Sequence, residues 1–346
     1  MHGRRALTPL LLLIPLTLAC ATTTPSATSC PESAQPIAAP EPPPPAPLGP
    51  LQVAVTIDDL PKHGPLSPGE TQLSVHAKLL DVLDAHGVPM VYGFVNAAKL
   101  ERVADGRETL ELWRDRGHPL GNHTFSHANI NEVGSAKFIA DIERNDAVLA
   151  DIVGDSPAAR RSRRAFRYPY LRQGADATTL DAVRDYLQAN DYRLAEVTVD
   201  FGDWAYNAPY ARCRERGDED AIADLRWSFV ATGVAFLKWS DQAARALYRR
   251  RIPHVLLLHS GSFDAAVLDE LLTAYERRGV EWITLDAALA DPAYQEDVRA
   301  PSEYGGTLLE QRIELAKAEA PRAPGPPPFM IQPVGLLENI CPPPRS

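Results

Sequence analysis

Cysteine is scarce in this chain: four in 346 residues, at positions 20, 30, 213 and 341. No two stand in a C-x-x-C spacing, which argues against a cysteine-built zinc site. Basic charge is in deficit. Acidic residues number 45 against 35 basic ones, and the net charge of −10 argues against nucleic acid or other polyanions as partners. Long apolar runs are missing too. The apolar stretch at 7–18 is too short to span a bilayer as a stable helix. No internal sequence repeat appears, which argues against a solenoid.

The chain is 45% hydrophobic and 23% charged, the composition of a globular protein with a sizeable core. Its length suits one large domain or two small ones. Proline, at 32 residues, gathers at the two ends, so the middle reads as folded.

The first twenty residues read as an export signal: Arg4 and Arg5, then the apolar run, then "LTLAC". That ending resembles the bacterial lipoprotein cleavage site, in which the cysteine, here Cys20, becomes the lipidated first residue. Thr17 stands where Leu is usual. The alternative is an ordinary secretory signal cut near Ala19 or Ala21. Residues 21–50 are rich in Pro, Ala, Ser and Thr and end in "APEPPPPAPLGP". Such a segment cannot bury a core and acts as an extended tether. The expected location is therefore outside the cytoplasm, at a bacterial envelope or periplasm, with the membrane reached only through lipid on Cys20. Residues 296–346 form a Pro-rich tail with one helical-looking stretch at 308–318, expected to be loosely ordered or draped on the surface. With Cys20 lipidated, three cysteines remain. A Cys213–Cys341 bridge is open to an exported protein, and the sequence does not decide it.

Between 51 and 295, short apolar runs alternate with amphipathic stretches. Candidate strands are 53–57, 90–95, 119–122, 165–167, 194–199, 255–258 and 282–284. Helical patterns lie between them, among them "TQLSVHAKLLDVLDAHG" with a terminal Gly87, and "SAKFIADIERNDAVLADIVG" with Ser135 as cap and Gly154 as stop. Seven strand–helix units predict an α/β fold, a parallel sheet closed as a distorted barrel.

Polar clusters fall at the strand ends: Asp58 and Asp59 after the first, His123 and His127 after the third, "RYPY" at 167–170 after the fourth, "DFGDW" at 200–204 after the fifth, and His259 after the sixth. A parallel α/β barrel opens all strand C-termini onto one face, so five clusters in sequence become one in space. Two histidines four apart project the same way from a helix or tight turn. With an aspartate they make a three-ligand site with open positions, and zinc is the default ion. Such a site makes bound water a nucleophile near neutral pH and polarises a carbonyl. Paired aspartates at a strand end allow one to ligate while the other accepts a proton.

"TIDDLP", "HTFSH", "RYPY", "DFGDW" and "LLLH" come in the order and spacing of the polysaccharide deacetylases, the NodB-homology group or carbohydrate esterase family 4, which the chain resembles over about 51–294. The resemblance implies a distorted (β/α) barrel that removes acetyl groups from N- or O-acetylated sugars with a divalent metal: zinc, or alternatively Co²⁺ or Ni²⁺. It implies Asp58 as general base, and Asp59, His123 and His127 as metal ligands. Arg167 orients Asp58, and the backbone N–H of Tyr170 stabilises the oxyanion. His259 is the general acid, with Asp203 raising its pKa. Trp204 walls the acetyl pocket, with Leu257 and Tyr170 beside it. Leu60 stands where the family usually has Gly, and Phe201 and Gly202 where small polar residues are common.

Taken singly, each cluster has an ordinary structural reading: a helix cap, a core histidine, an arginine on aromatic faces, a turn. Jointly they would have to reach one barrel face by accident. His76, His86, His118 and His254 are expected to be structural. His63 is near enough to Asp59 to line the site but is not expected as a ligand. "RSRR" at 161–164 reads as a solvated loop. The expected protein is a monomeric metal-dependent hydrolase deacetylating an envelope or extracellular polysaccharide, with N-acetyl groups foremost. The alternatives are an O-acetyl esterase or other amide hydrolase on the same fold, and a non-catalytic glycan-binding lipoprotein.

Overall fold

The computed structural model describes residues 49–317 and 336–342. The expected signal, nearly all of the linker, Cys20, Cys30 and much of the tail lie outside the described residues. Seven strands follow one another: β1 (Leu51–Leu60), β2 (Tyr92–Val95), β3 (Leu120–Asn122), β4 (Ala165–Phe166), β5 (Arg193–Leu194), β6 (His254–His259) and β7 (Val280–Trp282). All their pairings are parallel, in the order β5-β4-β3-β2-β1-β6, with β7 on the first residues of β1. β1 carries "VAVTI" and is buried from Val53 onward. Such an unbroken apolar run suits a parallel strand covered on both faces.

One segment closes the barrel. Ala195 N donates to Phe166 O of β4 at 2.8 Å. A few residues later Val199 bridges Leu256 of β6, with Leu257 N donating to Val199 O at 3.0 Å. Residues 193–199 thus touch both edges of the sheet. The strand expected over 194–199 is regular only at Arg193–Leu194 because the chain must leave one edge and cross to the other.

The helices are α1 (Gln72–Ala85), α2 (Gly106–Asp115), α3 (Ile130–Val153), α4 (Pro157–Arg163), α5 (Ala177–Ala189), α6 (Asn207–Arg216), α7 (Glu219–Tyr248), α8 (Ser262–Glu276), α9 (Leu285–Leu289), α10 (Pro292–Gln295) and α11 (Leu308–Ala316). α3 starts earlier than expected. Asn129 caps it through the N–H of Asn131, and Gly134, at φ 76°, interrupts it just before Ser135. "RSRR" closes α4 instead of forming a solvated loop: Arg163 is buried and paired with Asp146 at 3.0 Å and Asp155 at 2.7 Å. No described helix is long and apolar enough to cross a membrane.

The expectation of a loose tail fails for its first part. Val298, Leu308, Leu309 and Ile313 are buried. Leu308 N donates to Val197 O at 2.8 Å, and Ser302 N to Gly174 O at 2.8 Å. The crossing segment leaves backbone carbonyls that need donors, and the chain around α11 supplies one. Cys213 and Cys341 form a disulfide with a Cα–Cα distance of 5.4 Å, the pairing that the sequence left open.

The structural histidines are where the pattern put them. His76, fully buried on α1, accepts from Trp113 Nε1 at 2.8 Å and donates from Nε2 to Pro61 O at 3.0 Å. Burial pushes its pKa down to about 4. The unfolded chain therefore takes up this proton first as pH falls. The histidine's contribution to stability is complete above about 6.5 and is lost as pH falls through 4, an effect of roughly 3 kcal/mol. In an NMR titration the His76 ring should stay neutral through pH 5. Protonation near 6.5 would contradict this account.

Candidate active site

β1 ends in Asp58-Asp59-Leu60, and its register with β2 shifts between Ile57 and Leu60. Asp59 has φ 72°, a left-handed conformation that points the two carboxylates in different directions. The positive φ thus lies on Asp59, one residue before Leu60, which stands where the family usually has Gly. Leu60 stays extended and buried. Thr124 (φ 61°), His127 (φ 58°) and Tyr170 (φ 57°) share this conformation. Non-glycine residues held there cluster at functional sites. The His pair is therefore presented by a tight turn between β3 and α3, not by a helix.

The strand ends surround a cavity of about 310 Å³, lined among others by Asp58, Asp59, His123, His127, Tyr170, Trp204, Leu257 and His259. Arg167 and Asp203 are not on its wall. Both are buried behind it, against Asp58 and His259. Every site residue expected from the sequence is thus on this wall or directly behind it.

Asp59 Oδ1 lies 3.4 Å from His127 Nε2 and 4.0 Å from His123 Nε2, and one ligand atom from each of the three falls within 4.8 Å of the others. His123 donates from Nδ1 to Arg167 O at 2.8 Å, which leaves the Nε2 lone pair free beside both aspartates, 3.8 Å from Asp58 Oδ2 and 4.0 Å from Asp59 Oδ1. Burial holds the His123 pKa well below its usual value and brings His127 to about 4. Both rings are therefore neutral, as ligands must be. Asp59 Oδ1 is buried, with the Lys99 ammonium 3.0 Å away. A buried carboxylate oxygen facing two neutral imidazoles fits a divalent cation. Although burial pushes the Asp59 pKa up, Lys99 and His63 outweigh it and hold it well below the ordinary range.

Asp58 is buried 3.2 Å from Arg167 Nη1 through both oxygens. Burial raises its pKa to about 6 against the pull of Arg167. The guanidinium is pinned on its other sides: Nε donates to Ala195 O at 2.6 Å, Nη2 to Thr56 Oγ1 at 3.1 Å, and the Phe94 ring lies 4.6 Å away. His259 donates from Nδ1 to Asp203 Oδ1 at 2.9 Å, and its backbone N–H donates to Oδ2 at 2.6 Å. Burial opposes the charge on His259, but Asp203 prevails and lifts its pKa to about 10. The cleft thus pairs a carboxylate that ionises near 6 with an imidazolium that keeps its proton at neutral pH.

Three residues in or beside the cleft stand outside the catalytic and metal sets expected from sequence. His63 lines it, with Nδ1 2.9 Å from Asp59 Oδ2 and Nε2 3.3 Å from Trp204 O. With Asp59 and His259 it forms a second set of donors within 4.8 Å. Asp200, raised to about 6 by burial, accepts from Gly202 N at 3.0 Å. Lys99, in a 3₁₀ turn after β2, puts Nζ 3.0 Å from Asp59 Oδ1. Nothing in the sequence marks Lys99, because a lysine after a strand is usually solvated.

The polysaccharide deacetylase family model matches residues 47–210. The chain is 25% identical over 241 residues to a probable peptidoglycan-N-acetylglucosamine deacetylase of Arthroderma benhamiae, covering 69% of this chain and 44% of that protein. It is 25% identical over 160 residues to a peptidoglycan-N-acetylglucosamine deacetylase of Bacillus cereus, covering 46% and 48%. Among solved structures, the chitin deacetylase of Colletotrichum lindemuthianum aligns with a TM-score of 0.45 at 21% identity, over 70% of this chain and 91% of that one. The chain spans about half the length of the first curated relatives it matches. The family match runs through the strand ends that carry Asp58, Asp59, His123, His127, Arg167 and Asp203, and residues 47–210 form a polysaccharide deacetylase domain of the NodB-homology group, carbohydrate esterase family 4.

Proposed function

We propose that the protein is a metal-dependent hydrolase that removes acetyl groups, N-acetyl foremost, from an envelope or extracellular polysaccharide. One observation carries this reading: a buried carboxylate, a three-donor cation set and a charged imidazole share one cavity of about 310 Å³. A glycan-binding module has no use for that combination.

Asp59, His123 and His127 would hold the ion, Zn²⁺ by the preference of an N/O donor set, with Co²⁺ or Ni²⁺ as alternatives. When bound, it makes water more acidic and polarises the acetyl carbonyl. Asp58, ionised above about pH 6, takes the proton of the attacking water. Arg167 keeps Asp58 aimed and balances its charge. The Tyr170 backbone N–H faces the oxyanion. His259 protonates the leaving nitrogen or oxygen, and Asp203 restores its orientation and charge. Trp204, Leu257 and Tyr170 shape the acetyl pocket. The enzyme works outside the cytoplasm as a monomer, tethered by lipid on Cys20 through the proline-rich linker.

Acetate release tests the reading. The purified protein with added zinc should release acetate from at least one of peptidoglycan, chitin oligomers, poly-N-acetylglucosamine and acetylxylan, and a chelator should stop it. Release from acetylxylan alone would make it an O-acetyl esterase. Glycan binding with no acetate from any polymer at full zinc occupancy would make it a binding protein.

A further inference from the structure

Two of the carboxylates in the cleft already have a fixed cation each. Asp58 has Arg167. Asp59 has Lys99, whose Nζ stands 3.0 Å from Oδ1, the oxygen that faces His127 and His123. Lys99 Nζ is held in that ion pair by further hydrogen bonds to Asp59 O at 3.1 Å and to Asn96 Oδ1 at 3.0 Å. Asn96 is fully buried and donates from Nδ2 to His123 O at 2.5 Å and to Thr124 O at 3.2 Å. The ammonium is thus locked, through Asn96, to the turn that carries the histidines. The other carboxylate oxygen, Oδ2, lies 2.9 Å from His63 Nδ1.

We propose that Lys99 is a resident cation that weakens metal binding at Asp59, His123 and His127 and so keeps the ion exchangeable. The proposal rests on the reading of those three residues as the metal set. The reasoning is electrostatic. With both imidazoles neutral, an Asp-His-His set offers a divalent ion one negative charge. Here that charge is already balanced at contact distance by an ammonium that cannot swing away without breaking its bonds to Asn96 and to the Asp59 backbone. Like charges at such separation repel strongly where solvent is excluded. An ion that enters there does so against a fixed positive charge. His63 and Lys99 divide the outer shell. His63 fixes the carboxylate's orientation, and Lys99 sets its net charge.

Two neutral replacements separate charge from hydrogen bonding. Lys99→Met removes both. Lys99→Gln removes the charge and keeps a donor for Asn96 Oδ1 or Asp59 O. Zinc affinity is read by competition with a chromophoric chelator, alongside thermal unfolding to confirm that each variant is folded. Both variants should bind zinc more tightly than the native protein, by roughly 10–100-fold, the range over which outer-shell changes move metal affinity. Equal or weaker binding in both overturns the proposal. A native-like Gln variant beside an altered Met variant overturns it too, since hydrogen bonding and not charge would then be the cause. If neither the native protein nor either variant binds zinc, the metal reading itself falls, a result distinct from native binding that the substitutions leave unchanged.

Discussion

Asp58→Asn should lower turnover by roughly 10²–10⁴-fold, the usual worth of a positioned general base, and leave zinc binding intact. Asn has nearly the same size and still offers Arg167 an oxygen, so the guanidinium keeps a partner within the cleft. It cannot take a proton from water. Asp59 Oδ1 lies within reach of both histidines, 3.4 Å from His127 Nε2 and 4.0 Å from His123 Nε2, whereas Asp58 Oδ2 lies 3.8 Å from His123 Nε2 and is paired with Arg167. The pH profile gives a second readout. In the native enzyme the base must be ionised, so kcat/KM should rise as pH increases through about 6. The acid must be protonated, so kcat/KM should fall as pH passes about 10. In Asp58→Asn the lower limb should vanish while the upper one stays. Native turnover in the variant at saturating zinc would make Asp58 a structural cap.

Removing the His pair should have a different signature. His123→Ala with His127→Ala should abolish zinc binding and acetate release together, because Asp59 alone leaves one protein ligand where a catalytic site needs three. The two positions differ in what else they support. His123 is buried and bonded to Arg167 O, so its loss also loosens the residue that pins Asp58. His127 is about a fifth exposed and touches the Tyr170 ring, with centroids 4.4 Å apart. His127→Ala alone should therefore lower zinc affinity with little change in thermal stability. Full zinc occupancy in the double variant, measured by metal analysis after dialysis, would sink the assignment of the site.

Most of the fold was legible because a parallel strand buried on both faces is written as an unbroken apolar run, as in β1 and β6. The segments that pair least regularly were the hardest to bound. β4 and β5 keep only two residues each, and no local pattern tells a strand that it must cross from one sheet edge to another. α7 passed without notice in the sequence, although Ile222, Leu225, Phe229 and Phe236 recur at helical spacing and are buried. The chain around α11 was read as surface because its neighbours are proline-rich. Its partner, the carbonyl of Val197, is more than a hundred residues away.

By itself the sequence determined the alternation of strands and helices, the residue types at the strand ends, and hence that Asp58, Asp59, His123, His127, Arg167, Asp203 and His259 would meet. Parallel strands impose that meeting, because their C-terminal ends share one face whatever the intervening helices do. Only the tertiary structure decided how those groups are charged. Burial lifts Asp58 and silences the two histidines. Asp203 holds the proton on His259. Lys99, which carries no signal in the sequence, and His63, read there only as a residue lining the site, hold Asp59 ionised. It also paired Cys213 with Cys341. Charge states and distant pairings depend on distances between residues far apart in the chain and on the exclusion of water around them, and both quantities come into existence only when the barrel closes.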